Sequence, residues 1–418
     1  MGRVFVDITE LVGWRGKLTG VPRVMNELAR RFLENDDIQF VYWNKPRKAL
    51  EAVSFTPIVT DVISNDGPVV PQGLAERAKV LVRKSRYASR TVEIVKGGVV
   101  AIRSGASKGE RVVLGDGDTM IILADWHGSD PNFILSMETA KSSGAKIIQF
   151  CYDLLPIVAP QYSGHSTKTL FRYVRRVYSI ADVIITISDY TKRDLEAELT
   201  KLGIRVPPVE VIRLGDDFQA LKPKKPAQEA LKPLMGSKEP FALCVGTIEA
   251  RKNHALIYYA YKLAGSRGIS LPKMVIVGRI GWLSKDIYVQ ATTDPETKDK
   301  LIFVKDISDG ELAWLYGHAL FSVYPSFYEG WGLPVAESIA YGLPCLASNT
   351  SSIPEIAGDL LDYFSPYSSE ELLGQMVKLT NDVAREKAVK KMKTYKLTSW
   401  DSTFASVSAI IDKYGTDN

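Results

Sequence analysis

Uninterrupted apolar runs, each about one strand long, alternate with helix-length amphipathic segments along nearly the whole chain, and this restricts the fold more than any other feature. VFVDI (4–8), IQFVYW (38–43), MIILAD (120–125), KIIQFCYD (146–153), VIITIS (183–188) and PVEVIRLG (208–215) form a first series. FALCVGT (241–247), KMVIVGR (273–279), LIFVKD (301–306), LFSVYPS (320–326) and PCLASN (344–349) form a second. Strands without strict polar alternation are those covered on both faces in a parallel sheet. Helices are expected between them: over 22–33, where Val24, Leu28 and Phe32 recur every four residues, and over about 253–267, 309–318 and 334–341. Residues 216–240, between the two series, hold four prolines and five lysines, the composition of a linker. The expected fold is α/β, with two doubly wound domains facing each other across a cleft. The expected boundaries are 1–222, a linker at 223–240, a second domain at 241–395 and a terminal segment at 396–418. Ligands bind at the carboxyl ends of such strands, so the cleft is the expected site.

Composition narrows the function classes. Apolar residues make up 45% of the 418 and charged residues 24%, the balance of an ordinary globular protein. The net charge of +5 is too small to point to nucleic acid. Cys151, Cys244 and Cys345 each sit in an apolar run, as buried reduced thiols do. His127, His165, His254 and His318 have no metal-ligand spacing. The N-terminus lacks the apolar core of a signal peptide, and no window reaches 18 uninterrupted apolar residues, so a cytoplasmic location is expected. Asp116-Gly117-Asp118 has the form of a metal-binding D-x-D, but Asp-Gly between two apolar runs marks a tight turn. No metal or other cofactor is expected. The basic stretch from Arg77 to Arg111 has two readings: a solvated helix face, or a surface for anionic membrane or an anionic acceptor.

Chemistry concentrates in PSFYEGWGLPVAESIAYGLPCLAS, residues 325–348. A strand ends at Ser326, a loop holds Glu329-Gly330-Trp331-Gly332-Leu333, and Pro334 opens a helix bearing Glu337. Proline suits a first helical turn, and glycines let a ligand approach the backbone. The N–H groups at such a helix start form a phosphate cradle. Glu329 then lies beside the anion, and Glu337, about a turn inside the helix, can accept hydrogen bonds from a diol such as ribose. GTIEARKNH (246–254) places Arg251 and Lys252 after the first strand of the second series, where cations can clamp a diphosphate.

Two glutamates eight positions apart in E-G-W-G-L-P…E, with the basic pair upstream, resemble the retaining glycosyltransferases of family 4, which have the GT-B fold. The resemblance covers about residues 3–50 and 120–410. It implies that Arg251 and Lys252 bind the donor pyrophosphate, with Glu329 on the donor sugar and Glu337 on the ribose. It also implies that Gly246 and Gly278 leave room for the donor, that backbone groups near Lys305 to Ile307 meet the base, and that Gly20 borders the donor phosphates. QFCYDLLPIVAPQYS (149–163) resembles the Y-D-L-I-P segment of one branch. Tyr152 stands where many relatives have histidine, so a histidine's role does not pass to it directly. Asp153 has two readings, acceptor contact or structural cap. Asp125 and His127, in ADWHG, are candidate acceptor contacts, with plain strand-end burial as the alternative. The segment near TSWDSTF resembles a terminal helix that crosses back to the first domain.

This branch resembles bacterial enzymes of O-antigen and capsule synthesis, many of them mannosyltransferases. What it implies is transfer of mannose from GDP-mannose to a growing, lipid-linked glycan, with the basic segment at the inner membrane face and no nucleic-acid partner. A UDP- or dTDP-sugar donor, or a non-catalytic nucleotide or glycan binder, are the alternatives.

Overall fold

The computed structural model describes residues 2–14, 18–58, 109–124, 130–164, 166–217, 223–236 and 239–415. The basic segment up to residue 108, together with Asp125 and His127, lies outside the described residues. The first sheet holds β1 (Val4–Asp7), β2 (Ile38–Asn44), β3 (Ala49–Ala52), β4 (Arg111–Val112), β5 (Thr119–Ile122), β6 (Lys146–Cys151), β7 (Val183–Thr186) and β8 (Val209–Val211). Its order is β4-β3-β2-β1-β5-β6-β7-β8. All its pairs are parallel except β2–β3 and β3–β4. The second sheet holds β9 (Phe241–Val245), β10 (Lys273–Val277), β11 (Leu301–Val304), β12 (Ser322–Tyr324), β13 (Cys345–Ser348) and β14 (Asp362–Phe364). It is wholly parallel, in the order β11-β10-β9-β12-β13-β14. That order reverses direction at β9 and β12, a switch point of the kind that places ligands beyond strand ends.

The apolar runs became central strands because helices cover both faces of each sheet. Every residue of β5, β7 and β13 is buried. The strands missing from the sequence reading, β3, β4 and β14, all lie at or near sheet edges, where one face or flank stays wet and the apolar signal weakens. The expected helices occur at Val21–Phe32, His254–Ser266, Asp309–His318 and Leu333–Ala340. Ser308 and Glu311 close a reciprocal cap on the third of these.

The stretch read as a linker is not a loose tether. Leu231 and Leu234 are buried in the core of the second lobe, and Ala227 N–H donates to the Glu311 carboxylate at 2.9 Å. The last helix, Trp400–Tyr414, returns to the first lobe. There Phe404 meets Phe32 edge-on at 4.9 Å and Arg31 pairs with Asp401 at 2.8 Å. One apolar cluster spans both lobes, joining Val6, Leu28 and Ile148 to Val335, Ile353 and Val407. Among the described residues no helix is long and apolar enough to cross a membrane. Cys151, Cys244 and Cys345 are buried and form no disulfide among the described residues, and burial pushes the Cys244 thiol up to about 12.

Candidate active site

Neighbouring strands β9 and β12 both end at the cleft, and the turn after each carries the charged residues of the two motifs. Phe327 N–H donates to the Arg251 carbonyl at 2.8 Å, which ties the two turns together. Close approach of β9 and β10 is required here, since a Cβ on Gly278 would stand 1.9 Å from the Gly246 carbonyl oxygen.

The buried Glu329 and Lys252 and the partly exposed Arg251 form one cluster. Glu329 Oε2 pairs with Arg251 Nη1, and Oε1 accepts from Lys252 Nζ at 2.8 Å. Tyr324 hydroxyl (2.8 Å) and Ser326 hydroxyl (2.9 Å) also donate to Oε1, and Lys252 in turn donates to Tyr324. Arg251 Nε reaches Glu249 at 2.8 Å. Two acids thus balance two bases before any ligand arrives. Burial pushes the Glu329 carboxyl up, but the two cations outweigh it and hold the group down to about 2. Burial draws Lys252 below its ordinary value, because the Arg251 charge offsets part of what Glu329 supplies. Arg251 Nη2 and one Lys252 hydrogen stay uncommitted among the described residues, both within the cluster. The loop itself is pinned: Glu329 N–H donates to Ser351 Oγ at 2.9 Å, and Ser352 Oγ donates to the Glu329 carbonyl at 2.8 Å. His254, two residues after Lys252, is buried with no hydrogen-bond partner on either ring nitrogen among the described residues, and burial beside Lys252 holds it down to about 3.

Glu337 is also placed by partners from two directions. Arg23, three residues past Gly20 in the first lobe, donates to Oε1 at 2.8 Å, and Tyr316 hydroxyl donates to Oε2 at 2.8 Å. Gly20 caps the helix Val21–Phe32 at a φ of 58°. Leu333 packs at the border of the core shared by both lobes, and Gly332 caps the helix Leu333–Ala340.

Several expected site residues turn out differently. Trp331 lies 5% exposed inside the shared core, with the Arg213 guanidinium 5.4 Å above its ring, so its side chain packs between the lobes. Tyr152 hydroxyl donates to the Leu123 carbonyl at 2.9 Å, which braces it within the first lobe. Asp153 accepts from Leu155 N–H at 2.9 Å, which is the cap reading. It also lies against Gly330, where a Cβ would fall 2.0 Å from the Tyr152 carbonyl oxygen, so the glycine lets the acidic loop dock on the first lobe. Ile307 is core, and the Lys305 carbonyl accepts from Gln228 Nε2 at 2.8 Å, a side chain from the former linker. Asp116 and Gly117 form the turn, and Asp118 is taken up by Arg3 at 2.8 Å and by Gly115 N–H at 3.0 Å.

Sequence reasoning missed Tyr324, Ser326, Ser351, Glu249 and Arg23. Glu249, Arg23 and Ser326 each stand two or three residues from a residue already singled out, whereas Tyr324 and Ser351 carried no such signal. Two further contacts join the lobes. Glu355 accepts from Asp189 N–H (2.8 Å) and Tyr190 N–H (2.7 Å), capping the helix Asp189–Lys201 from the opposite lobe. Tyr328 hydroxyl donates to Asp194 at 2.6 Å.

Comparison with known proteins gives a family match, two relatives and a shared fold. Residues 228–396 match the family model described as Glycosyl transferases group 1. The chain is 27% identical over 240 residues to O-antigen chain mannosyltransferase B of Escherichia coli, covering 56% of this chain and 59% of that one. It is 32% identical over 221 residues to O-antigen chain mannosyltransferase RfbU of Salmonella typhimurium, covering 51% and 55%. The chain thus spans little more than half the length of these relatives. Sucrose-phosphate synthase from Thermosynechococcus elongatus superposes with a TM-score of 0.61 at 16% identity, covering 99% of both chains. The two sheets and the cleft between them are the GT-B arrangement.

Proposed function

We propose that this chain, whose residues 228–396 match the glycosyl transferases group 1 family model, is a retaining glycosyltransferase that moves mannose from GDP-mannose to a growing, lipid-linked glycan of the O-antigen or capsule type. The observation that carries the reading is the Arg251–Glu329–Lys252 cluster at the ends of β9 and β12. A nucleotide sugar needs its departing diphosphate stabilised, and preorganised donors aimed at that charge supply the largest catalytic effect available. Arg251 Nη2, the spare Lys252 hydrogen and the N–H groups at the start of Leu333–Ala340 meet that need together. Glu329 Oε2, held by Arg251, faces the sugar hydroxyls, and Glu337 receives the ribose. The mannosyl donor is supported by the names of the relatives.

In this reading the acceptor hydroxyl attacks the anomeric carbon on the face the diphosphate leaves. The carbon–oxygen bond to phosphate breaks as the new glycosidic bond forms. The acceptor proton passes to the departing phosphate oxygen, so no separate base is needed and no metal is called for. Bringing the lobes together expels water that would hydrolyse the donor. The same reading puts the protein at the inner face of the plasma membrane, where its acceptor would be.

A thermal-shift series with GDP, UDP and dTDP tests the donor site, since a ligand of the native state raises the melting point. GDP should give the largest rise. A larger rise with UDP or dTDP overturns the GDP assignment, and no rise with any of them overturns the site. NMR of the product made from GDP-mannose should show the α-anomer, and a β-product ends the retaining mechanism.

A further inference from the structure

Resting on the nucleotide-sugar reading above, we propose that Arg23 is a positioning residue that couples ribose recognition by Glu337 to closure of the two lobes. Arg23 belongs to the first turn of Val21–Phe32 in the first lobe, while Glu337 belongs to Leu333–Ala340 in the second. Their 2.8 Å ion pair therefore exists only while the lobes are together. Neither side chain is sealed: Arg23 keeps 29% of its exposure and Glu337 14%, so a ligand in the cleft can reach both.

The carboxylate is half used. An ionised carboxylate offers about four acceptor positions. Arg23 takes one on Oε1 and Tyr316 takes one on Oε2, which leaves one on each oxygen. That remainder matches the two neighbouring hydroxyls of a ribose. The Tyr316 hydroxyl comes from the same lobe as Glu337, so it orients the carboxylate whether or not the lobes meet. Arg23 alone reports on the opposite lobe. A ribose donating to Glu337 strengthens nothing in the first lobe directly. It does fix the carboxylate in the rotamer that Arg23 meets, and the guanidinium then favours the closed arrangement. Ordering two groups in one productive geometry is what converts binding into rate, and a misplacement of about 1 Å can cost on the order of a hundredfold.

The test uses the full chain carrying Val113→Cys and Val383→Cys, one on each lobe and 70% and 75% exposed, for spin labels. The native cysteines are buried and do not compete for label. Interlobe distances are measured with and without GDP, with UDP in parallel, in the parent and in Arg23→Ala, Arg23→Lys and Glu337→Gln. Affinities for GDP and its 2′,3′-dideoxy analogue are measured alongside. GDP should shorten the parent distance, Arg23→Ala should abolish that change, and Arg23→Lys should restore part of it. Arg23→Ala should still prefer GDP to the dideoxy analogue, whereas Glu337→Gln should lose the preference. In turnover, Arg23→Ala should lower kcat by about ten- to a hundredfold with little change in donor KM. Closure of Arg23→Ala equal to the parent overturns the proposal, as does loss of ribose preference as complete as in Glu337→Gln. A parent chain that binds no nucleoside diphosphate at all overturns the donor-site reading itself, a result distinct from either.

Discussion

The two lobes share one architecture and treat their strand ends in opposite ways. At the ends of β9 and β12 the second lobe gathers four charges, three of them buried, in a balanced cluster, with both Glu329 carboxylate oxygens engaged. At the end of β6 the first lobe spends its polar groups on itself: Tyr152 braces Leu123 and Asp153 caps Leu155. A parallel sheet thus dictates where a site forms, while the side chains after each strand decide whether the place becomes electrostatic machinery or scaffold. The first lobe contributes by contact across the cleft, through Arg23, Asp194 and the backbone of Tyr152.

The largest expected effect strikes the charged side of that contrast. Lys252→Ala should lower turnover by about 10²–10³, the loss typical of one preorganised donor, in steady-state assays with GDP-mannose. Near-normal turnover would put the cluster on the same footing as the scaffold of the first lobe. The Glu329 carboxyl, held at about 2 against an ordinary 4.5, contributes about 3 kcal/mol of stability. Its folded value is depressed, so this stability is present above about pH 4.5 and is lost as pH falls toward 2. Denaturant midpoints followed from pH 7 to 3 should show that slope in the native chain and a shallower one in Glu329→Gln. An equal slope would mean the cations do not hold the carboxylate.

Gly330→Ala probes the seam between the lobes. Its Cβ would meet the Tyr152 carbonyl, so about 1–3 kcal/mol of overpacking strain is expected. Turnover should fall further than the melting point suggests, because the lobes are held apart where reaction occurs. The smallest effect belongs to Tyr152→Phe, which removes one hydrogen bond worth about 0.5–1.5 kcal/mol and should leave turnover close to normal. A loss of turnover as large as that of Lys252→Ala would return Tyr152 to the reacting centre and erase the contrast.

Much of this was legible in the chain. Apolar runs of strand length marked the central strands, since a strand covered on both faces has no polar side to hide. Glu329, Glu337, Arg251 and Lys252 stood out because glycines and a proline set them at a strand–helix junction, a constraint local in sequence. Edge strands β3, β4 and β14 carried too little apolar signal to register. The fate of Trp331 was equally hidden: an aromatic between two glycines reads as a ligand contact until the other lobe closes over it and makes it core.

The sequence by itself determined two largely parallel sheets, the expectation of a site between them and the charged residues beside it, because periodicity, turn chemistry and spacing act over a few residues. Only the tertiary structure decided which charges neutralise one another and which partner Glu337 takes from the opposite lobe. Arg23 and Glu337 lie 314 positions apart, and the energy of an ion pair depends on distance in space and on local burial, neither of which is written in the order of residues along the chain.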